Sequence, residues 1–452
     1  MPTNNTKKGS EEMNYKNAID YLFSQTPSFE KQGASGYKEG LENTIKLDEH
    51  FGHPHEHFRS IHIAGTNGKG SVAHSIAAML QVYGYRVGLY TSPHLIDFKE
   101  RIRVNGAPIS EEYVVDFIEK ERSFFEPLEP TFFEITTAMA FNYFKDMNVD
   151  IAVVEVGLGG RLDCTNIITP ILSVITNISL DHTQLLGASL EQIAMEKGGI
   201  IKTGIPVVIG ETSPETRPIF EALANEHNAP IHFAEDEEER EIETAEMLPE
   251  GGIHYTARHL ADFYGELSGI YQKKNMNTAM VAMHILMDTG YLCECYNPEN
   301  NRKIQEEMNL ALGNVTKITG LMGRWQTICQ QPTIVCDTGH NVGGWEYLSK
   351  QLAAVKCEKM HIVIGIVDDK DIYGIMNLLP KNATYYYTKA DTKRAFPETS
   401  LKVFGDQFGL TGECYPTVPE AVRAATDTAA PDDFIFIGGS TYVVADFLKS
   451  RN

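Results

Sequence analysis

The run Gly65-Thr66-Asn67-Gly68-Lys69-Gly70-Ser71 has the residue types that a phosphate cradle requires. Its glycines let backbone N–H groups converge on phosphate oxygens. Lys69 adds a mobile cation, and Ser71 adds a hydroxyl able to ligate magnesium. The spacing departs from the usual GxxxxGK[ST]: Gly70 separates Lys69 from Ser71, and the glycines lie closer together. A flexible turn is the plain alternative. A strand pattern before the run and a helix pattern after it favour a triphosphate site, without naming a reaction.

A second group lies in Val153-Val154-Glu155-Val156-Gly157-Leu158-Gly159-Gly160-Arg161-Leu162-Asp163. Glu155 ends an apolar strand pattern, where a magnesium ion beside a phosphate loop needs a hard oxygen ligand. A structural carboxylate is the alternative. The Gly157-x-Gly159 start is not a dinucleotide fingerprint, because the third glycine of GxGxxG falls at Leu162. Ser92, in Thr91-Ser92-Pro93-His94, and His182, in Leu180-Asp181-His182, follow two further strands. In a doubly wound sheet such strand ends share one crevice, so Ser92, Glu155 and His182 could meet around one or two metals. Lys197, read alone, is a cation in the last turn of a helix, favoured there by the helix dipole. Arg324 and His340 could supply positive charge from a second body closing over the site; surface loop residues are the alternative. His53, His55 and His57 read as loop histidines. Cys293 and Cys295 flank one glutamate too closely for a zinc knuckle.

The elements that must position these groups alternate between strand and helix. Strands are expected at residues 60–64, 86–90, 151–156, 171–175 and 207–209, with helices from Val72, at 132–147 and at 190–198. That alternation implies a parallel sheet covered on both faces. Glu235 to Glu246 reads as a solvated acidic loop or helix face. Helices are expected at 275–287 and 302–312. Beyond a boundary near residues 313–322 the pattern restarts with strands at 333–337, 361–366, 384–388 and 434–437. Between them lie a helix after Gly344 and helices near 372–379 and 419–425. The fold class is therefore α/β: an N-terminal P-loop-type domain with a mostly parallel sheet, then a smaller C-terminal α/β domain.

Composition bounds the function. The 452 residues suggest about three domains of roughly 150 residues, or two large ones. Hydrophobic residues at 42% and charged residues at 22% are ordinary for a globular chain. Thirty-nine basic against 61 acidic residues give a formal charge of −22, a field that repels phosphate backbones and anionic lipid. Nucleic acid and membranes are thus not expected partners. No apolar run reaches the ~18 residues of a span, and the N-terminus has no apolar h-region. With scattered, odd-numbered cysteines, this points to a cytoplasmic protein with reduced thiols, expected to act as a monomer on small molecules.

Together these motifs resemble the Mur ligase superfamily, and within it the bacterial bifunctional folylpolyglutamate synthase/dihydrofolate synthase family. The resemblance rests on Gly65 to Ser71, Thr91-Ser92-Pro93-His94-Leu95, Glu155 to Asp163, Asp181-His182 with Leu186-Gly187, Glu196-Lys197, Gly323-Arg324, Asp337 to Asn341 and Asp369-Lys370-Asp371. It spans about residues 37 to 445. It implies an ATP- and pteroate-binding domain over 1–315 and a Rossmann-like glutamate-ligase domain over 316–452. Gly65, Thr66, Asn67, Gly68, Lys69, Gly70, Ser71, Asn275, Arg324 and Asp337 would bind ATP. Ser71, Ser92, Glu155 and His182 would hold two magnesium ions, with Lys197 carried as a carbamate. Thr131, Phe132, Phe133, Leu162 and Asp163 would form the pterin pocket, with Gly40 in a weaker matching segment, Lys38 to Gly40. Lys69, Lys197 and His340 would be catalytic.

The implied reaction is ATP-dependent amide formation between L-glutamate and dihydropteroate, or the γ-carboxylate of a folyl glutamate. Three departures stand out: Cys164 replaces alanine, Val342 replaces proline, and the family's HQxxN reads Tyr271-Gln272-Lys273-Lys274-Asn275. The alternatives are a cell-wall ligase acting on a nucleotide sugar and, from another class, a P-loop kinase or regulatory NTPase.

Overall fold

The computed structural model describes residues 13–27, 38, 40–249, 251–259, 261–292 and 301–451. Cys293 and Cys295 lie outside the described residues.

The N-terminal sheet is built from β1 Arg59–Ala64, β2 Val87–Tyr90, β3 Ile102–Val104, β4 Ala107–Pro108, β5 Ile151–Glu155, β6 Leu172–Ile175, β7 Val207–Ile209 and β8 Ile231–Phe233. Among the described residues its order is β4-β3-β2-β5-β1-β6-β7-β8. β1 pairs in parallel with both β5 and β6, and only the pairings of β3, with β2 and with β4, are antiparallel. A central parallel strand is covered on both faces, which is why these strands read as apolar runs without alternation. The helix Lys69–Val82 packs Val72, Ile76 and Leu80 on one face, backed by the helix Gln272–Asp288. The helix Phe132–Asp146 covers the other face with Phe141 and Phe144. His62 is buried within β1, where its Nε2 meets Thr165 Oγ1 at 2.8 Å, and burial pushes it down to about 3, so it stays neutral.

The acidic run departs from expectation. Only its first part is a turn region. From Ile242 it becomes β9 Ile242–Met247, which joins β10 Ile253–Ala257 and β11 Phe263–Gly265 in an antiparallel sheet of order β11-β10-β9. Glu241 and Ile242 are both buried. Ile253, Tyr255 and Phe263 face the core shared with the helix Gln272–Asp288.

The C-terminal sheet contains β12 Gln326–Gln330, β13 Thr333–Cys336, β14 Met360–Ile364, β15 Ala383–Tyr387, β16 Gly412–Cys414 and β17 Phe434–Gly438, in the order β12-β13-β17-β14-β15-β16. All pairings are parallel except that of the edge strand β12. Its core gathers Trp325, Trp345 and Phe436. The helix expected after Gly344 begins earlier, as Val342–Ala354, because Asn341 caps it by accepting from the Gly344 N–H at 2.8 Å. The short helix Val315–Thr319 still belongs to the N-terminal body: Val315 and Leu321 join its core, and Thr319 Oγ1 meets His74 Nδ1 at 2.7 Å. The chain thus passes between the bodies just after Leu321. No helix among the described residues is long and apolar enough to cross a membrane.

Candidate active site

The C-terminal ends of β1, β2, β5 and β6 open into a cavity of about 320 Å³, closed on its far side by loops of the C-terminal sheet. The glycine loop lies on its floor. Gly68 has φ 85°, and a Cβ there would come within 2.3 Å of Asn275 Oδ1, so the loop and the helix Gln272–Asp288 meet only because the residue is glycine. Thr176 and Asn177, just after β6, brace the loop: Thr176 Oγ1 donates to Asn67 O at 2.5 Å, and Asn67 N–H donates to Asn177 Oδ1 at 2.9 Å. The helix Lys69–Val82 starts at this loop without a side-chain cap, so its first N–H groups and its dipole point at the cavity. Lys69 Nζ arches back over the loop and donates to Gly65 O at 3.0 Å and Thr66 O at 3.2 Å. That places one ammonium over the nest where phosphate oxygens would sit.

Beside it lies the carboxylate expected from sequence. Glu155, the last residue of β5, is buried and accepts the Ser92 N–H at 3.2 Å. Burial pushes its carboxyl up, opposed by Lys69 and the Ser92 N–H. His182 is held neutral, because burial drives it down to about 3 against the pull of Asp181. Lys197, in the last turn of the helix Leu190–Gly198, is only 5% exposed and lines the same cavity. A Cβ on Gly160 would lie 2.7 Å from Glu196 O and 2.8 Å from Lys197 O, so the glycine loop after β5 is what lets this helix end come so close. A dipole-favoured surface cation would be solvated; this lysine is not. Burial, then Lys69, depress its ammonium to about 7, with Asp181 and Asp163 opposing.

The C-terminal body contributes Arg324, Asp337 and His340. Asp337, after β13, is spent on structure: it accepts from Tyr271 Oη at 2.5 Å, Trp325 N–H at 2.7 Å and Gly339 N–H at 2.8 Å. Arg324 Nη1 donates to Thr338 Oγ1, and Arg324 Nη2 lies 3.2 Å from where a Gly70 Cβ would be. His340 turns its Nε2 to Asp181 Oδ2 at 3.3 Å. Asp181 is the hub between the bodies, since it also accepts from Asn341 Nδ2 at 2.9 Å and from Lys370 Nζ. Burial alone would raise its carboxyl; His340, His182 and Lys370 hold it well below the usual range. Asn67 and Asn341 exchange paired amide hydrogen bonds at 3.1 and 3.0 Å beside it. These contacts put the second body directly over the glycine loop.

The expected pterin residues divide by role. Phe133 stacks on Tyr90 with centroids 5.8 Å apart, and its ring occupies the space a Gly157 Cβ would need. Phe133 and Leu162 are partly exposed to the cavity. Phe132 is buried and stacks on Phe23 at 4.6 Å. Thr131 caps the helix behind them: its Oγ1 accepts the Glu134 N–H at 3.2 Å, and Glu134 Oε2 accepts the Thr131 N–H at 2.6 Å. Asp163 is buried with both oxygens engaged, Oδ2 by the Leu158 N–H at 2.8 Å and Oδ1 by the Thr165 N–H at 3.0 Å and the Thr165 hydroxyl at 2.5 Å. Gly40 does not line the cavity, although Lys38 does.

Every other residue expected at the site lines this one cavity. Sequence reasoning had left Asn177, Glu211, Tyr347, Lys370, Arg394 and Tyr442 out of the site, and all line it too. Lys370 alone carried a signal, in the Asp369-Lys370-Asp371 motif. Arg394 Nη2 donates to Asp369 Oδ2 at 2.7 Å and extends that motif into the cavity.

Residues 63–283 match the Mur ligase middle domain, and residues 323–441 match the Mur ligase glutamate ligase domain. The dihydrofolate synthase/folylpolyglutamate synthase of Bacillus subtilis (strain 168) is 33% identical over 428 residues, covering 92% of this chain and 95% of that one. The structure of E. coli FolC in complex with DHPP and ADP superposes with a TM-score of 0.80 at 27% identity, over 97% of this chain and 98% of the other. A bifunctional folylpolyglutamate synthase/dihydrofolate synthase with Mn, AMPPNP and L-glutamate bound gives 0.77 at 27% identity, with coverage of 97% and 98%.

Proposed function

The chain belongs to the dihydrofolate synthase/folylpolyglutamate synthase family of Mur ligases, and from that premise we propose how its cavity ligates glutamate. It is an ATP-dependent acid–amino-acid ligase that adds L-glutamate to dihydropteroate, to folyl glutamates, or to both. A carboxylate is a poor electrophile, so the substrate oxygen first takes the γ-phosphoryl group and ADP departs. The amine of L-glutamate then attacks the acyl carbon of the resulting acyl phosphate, losing a proton as phosphate leaves. Little covalent chemistry falls to the protein, whose share is position and charge neutralisation.

One observation carries the assignment of roles. The uncapped helix over Gly65 to Ser71, the buried Glu155 and Lys197, and the basic face of Arg324 and His340 all converge on one cavity. The loop N–H groups and Lys69 hold the phosphates, with Arg324 meeting them from the other body. Asn275 and Asp337 complete the nucleotide side, Asp337 by fixing Tyr271 and the Arg324 loop. The donor set fits a divalent ion: a buried carboxylate, two serine hydroxyls and an imidazole kept neutral. Ser71, Ser92, Glu155 and His182 would hold one or two such ions, which supply charge neutralisation to the phosphate oxygens. His340 closes the second body by bonding Asp181. The charge of −22 leaves the site accessible to anions because the crevice carries its own cations.

The test is ADP release measured with dihydropteroate, tetrahydrofolate and a UDP-sugar as acceptors, each with and without L-glutamate. Release requiring both glutamate and a pteroate-containing acceptor is the expected outcome. Glutamate-independent release, or turnover on the UDP-sugar, would return one of the alternatives.

Asp163 has a structural part beside its expected place at the pterin: it clamps the loop after β5, against which Phe133 and the pterin wall rest. Asp163→Ala strands the buried Thr165 N–H, at a cost of about 1–3 kcal/mol, and the part-buried Leu158 N–H at the cavity wall. A lowered melting temperature with loss of activity on both acceptors is expected. A selective loss on dihydropteroate at unchanged stability would instead make Asp163 a direct pterin ligand.

A further inference from the structure

Away from the cavity, three side chains from separate elements converge: Glu241 before β9, His259 after β10, and His284 in the helix Gln272–Asp288. One donor atom from each lies within 4.8 Å of the others. Glu241 Oε1 is 2.7 Å from His284 Nδ1, and both Glu241 oxygens are 3.2 Å from His259 Nδ1. The carboxylate is buried, while His259 is exposed and His284 partly so, leaving the cluster open on one side. Its backbone is fixed independently of these contacts. Asn277, on the same helix as His284, accepts the N–H groups of both Glu241 and Ile242 at 2.9 Å.

Two imidazole nitrogens facing one carboxylate are satisfied either by an N–H at each contact or by one shared metal ion. The surroundings favour a metal. Asp288 Oδ2 lies 3.3 Å from His284 Nε2, an outer carboxylate placed to hold a proton on Nε2 when Nδ1 binds a metal. We propose that Glu241, His259 and His284 form a three-ligand site for a zinc-class divalent ion, with water completing the coordination on the open side. Two imidazoles and one carboxylate suit Zn²⁺ and disfavour Mg²⁺, which demands oxygen. Bonds of about 2.0–2.1 Å in a tetrahedron put ligand atoms about 3.3 Å apart. The 3.2 Å contact already has that spacing, and the 2.7 Å contact would widen by about 0.6 Å to admit the ion. The ion would tie the antiparallel sheet to the C-terminal part of the helix Gln272–Asp288, away from the end that meets the nucleotide loop.

The experiment uses the full-length chain in saturating Mg²⁺, so that the catalytic cavity does not compete for zinc. Zinc stoichiometry is read by competition with a chromophoric chelator, and Co²⁺ is added separately to read coordination geometry. Wild type should hold one zinc equivalent more than His259→Gln or His284→Gln, should melt several degrees higher with zinc, and should show tetrahedral Co²⁺ absorption that both variants lack. Both variants should keep ADP release, since neither residue touches the cavity. Should His284→Gln fold poorly, the exposed His259→Gln carries the comparison alone. Equal zinc stoichiometry and Co²⁺ spectra in wild type and His259→Gln would overturn the proposal and leave a proton-bridged histidine–carboxylate cluster.

Discussion

Replacing Lys69 by alanine is expected to lower kcat by about 10²-fold or more while the protein stays folded. The side chain is only partly buried, and its ammonium bonds two carbonyls of its own loop. Such bonds contribute about 1 kcal/mol each, and the carbonyls left behind face a cavity that admits water. The catalytic loss is larger because no other group replaces what the ammonium does. It sits over the uncapped helix start, where the γ-phosphoryl oxygens gain charge as the bond to ADP lengthens. Arg324 approaches from the opposite body and already has a partner in Thr338. The check pairs ADP release at saturating ATP with a melting curve. Near-normal turnover would remove the glycine loop from the mechanism, and a collapsed melting curve would give Lys69 a structural role instead.

How much of this was legible in the sequence depended on whether chemistry and local pattern agreed. At Gly65 to Ser71 they did: the residues that cradle phosphate are also those that allow a strand to turn sharply into a helix. Glu155 was legible for a similar reason, as the one charge in a strand buried on both faces. β9 was not. Its glutamates alternate with small or apolar residues, so the charge run hid the period, and only pairing with β10 makes Ile242 a core residue. The capping roles of Thr131 and Asp163 were not legible beside their expected place at the pterin, because the side chains that cap helices are the same short oxygen acceptors that bind substrates. Nothing local separates the two uses. The hub at Asp181 depends on Lys370, 189 positions away, and on the docking of one body over the other. A motif marks both residues without saying that they meet.

Lys197 is where local reading and tertiary structure diverge most, and its replacement carries the second large effect. On helix position alone it is a cation well placed by the dipole, and removing it would cost a few tenths of a kcal/mol. In the folded chain it is buried among site groups, with Gly160 packed against its backbone and Lys69 adding repulsion. A bare ammonium there would oppose the same divalent ions that Glu155 and His182 are placed to attract. An ammonium lowered to about 7 is in substantial part free amine near neutral pH, and we propose that this amine adds CO₂. The nitrogen lone pair forms a bond to carbon, one C–O π pair moves onto oxygen, and a proton leaves nitrogen. The product is an anionic carbamate with two hard oxygens, which converts a repelled side chain into one a divalent ion accepts. We therefore expect Lys197→Ala to lose about 10²-fold or more in kcat, as when one charge-stabilising group is removed. Acetate should restore part of that activity by bringing a carboxylate into the vacated space, and Lys197→Glu should retain some without any additive. The check is kcat for the three proteins against acetate concentration, with mass spectrometry of the wild type in ¹³CO₂-enriched buffer. Full activity of Lys197→Ala in ordinary and CO₂-depleted buffers alike would return the residue to its role as a helix-end cation. Loss without acetate rescue, and with no labelled adduct, would make it the unmodified ammonium a direct partner of the phosphates.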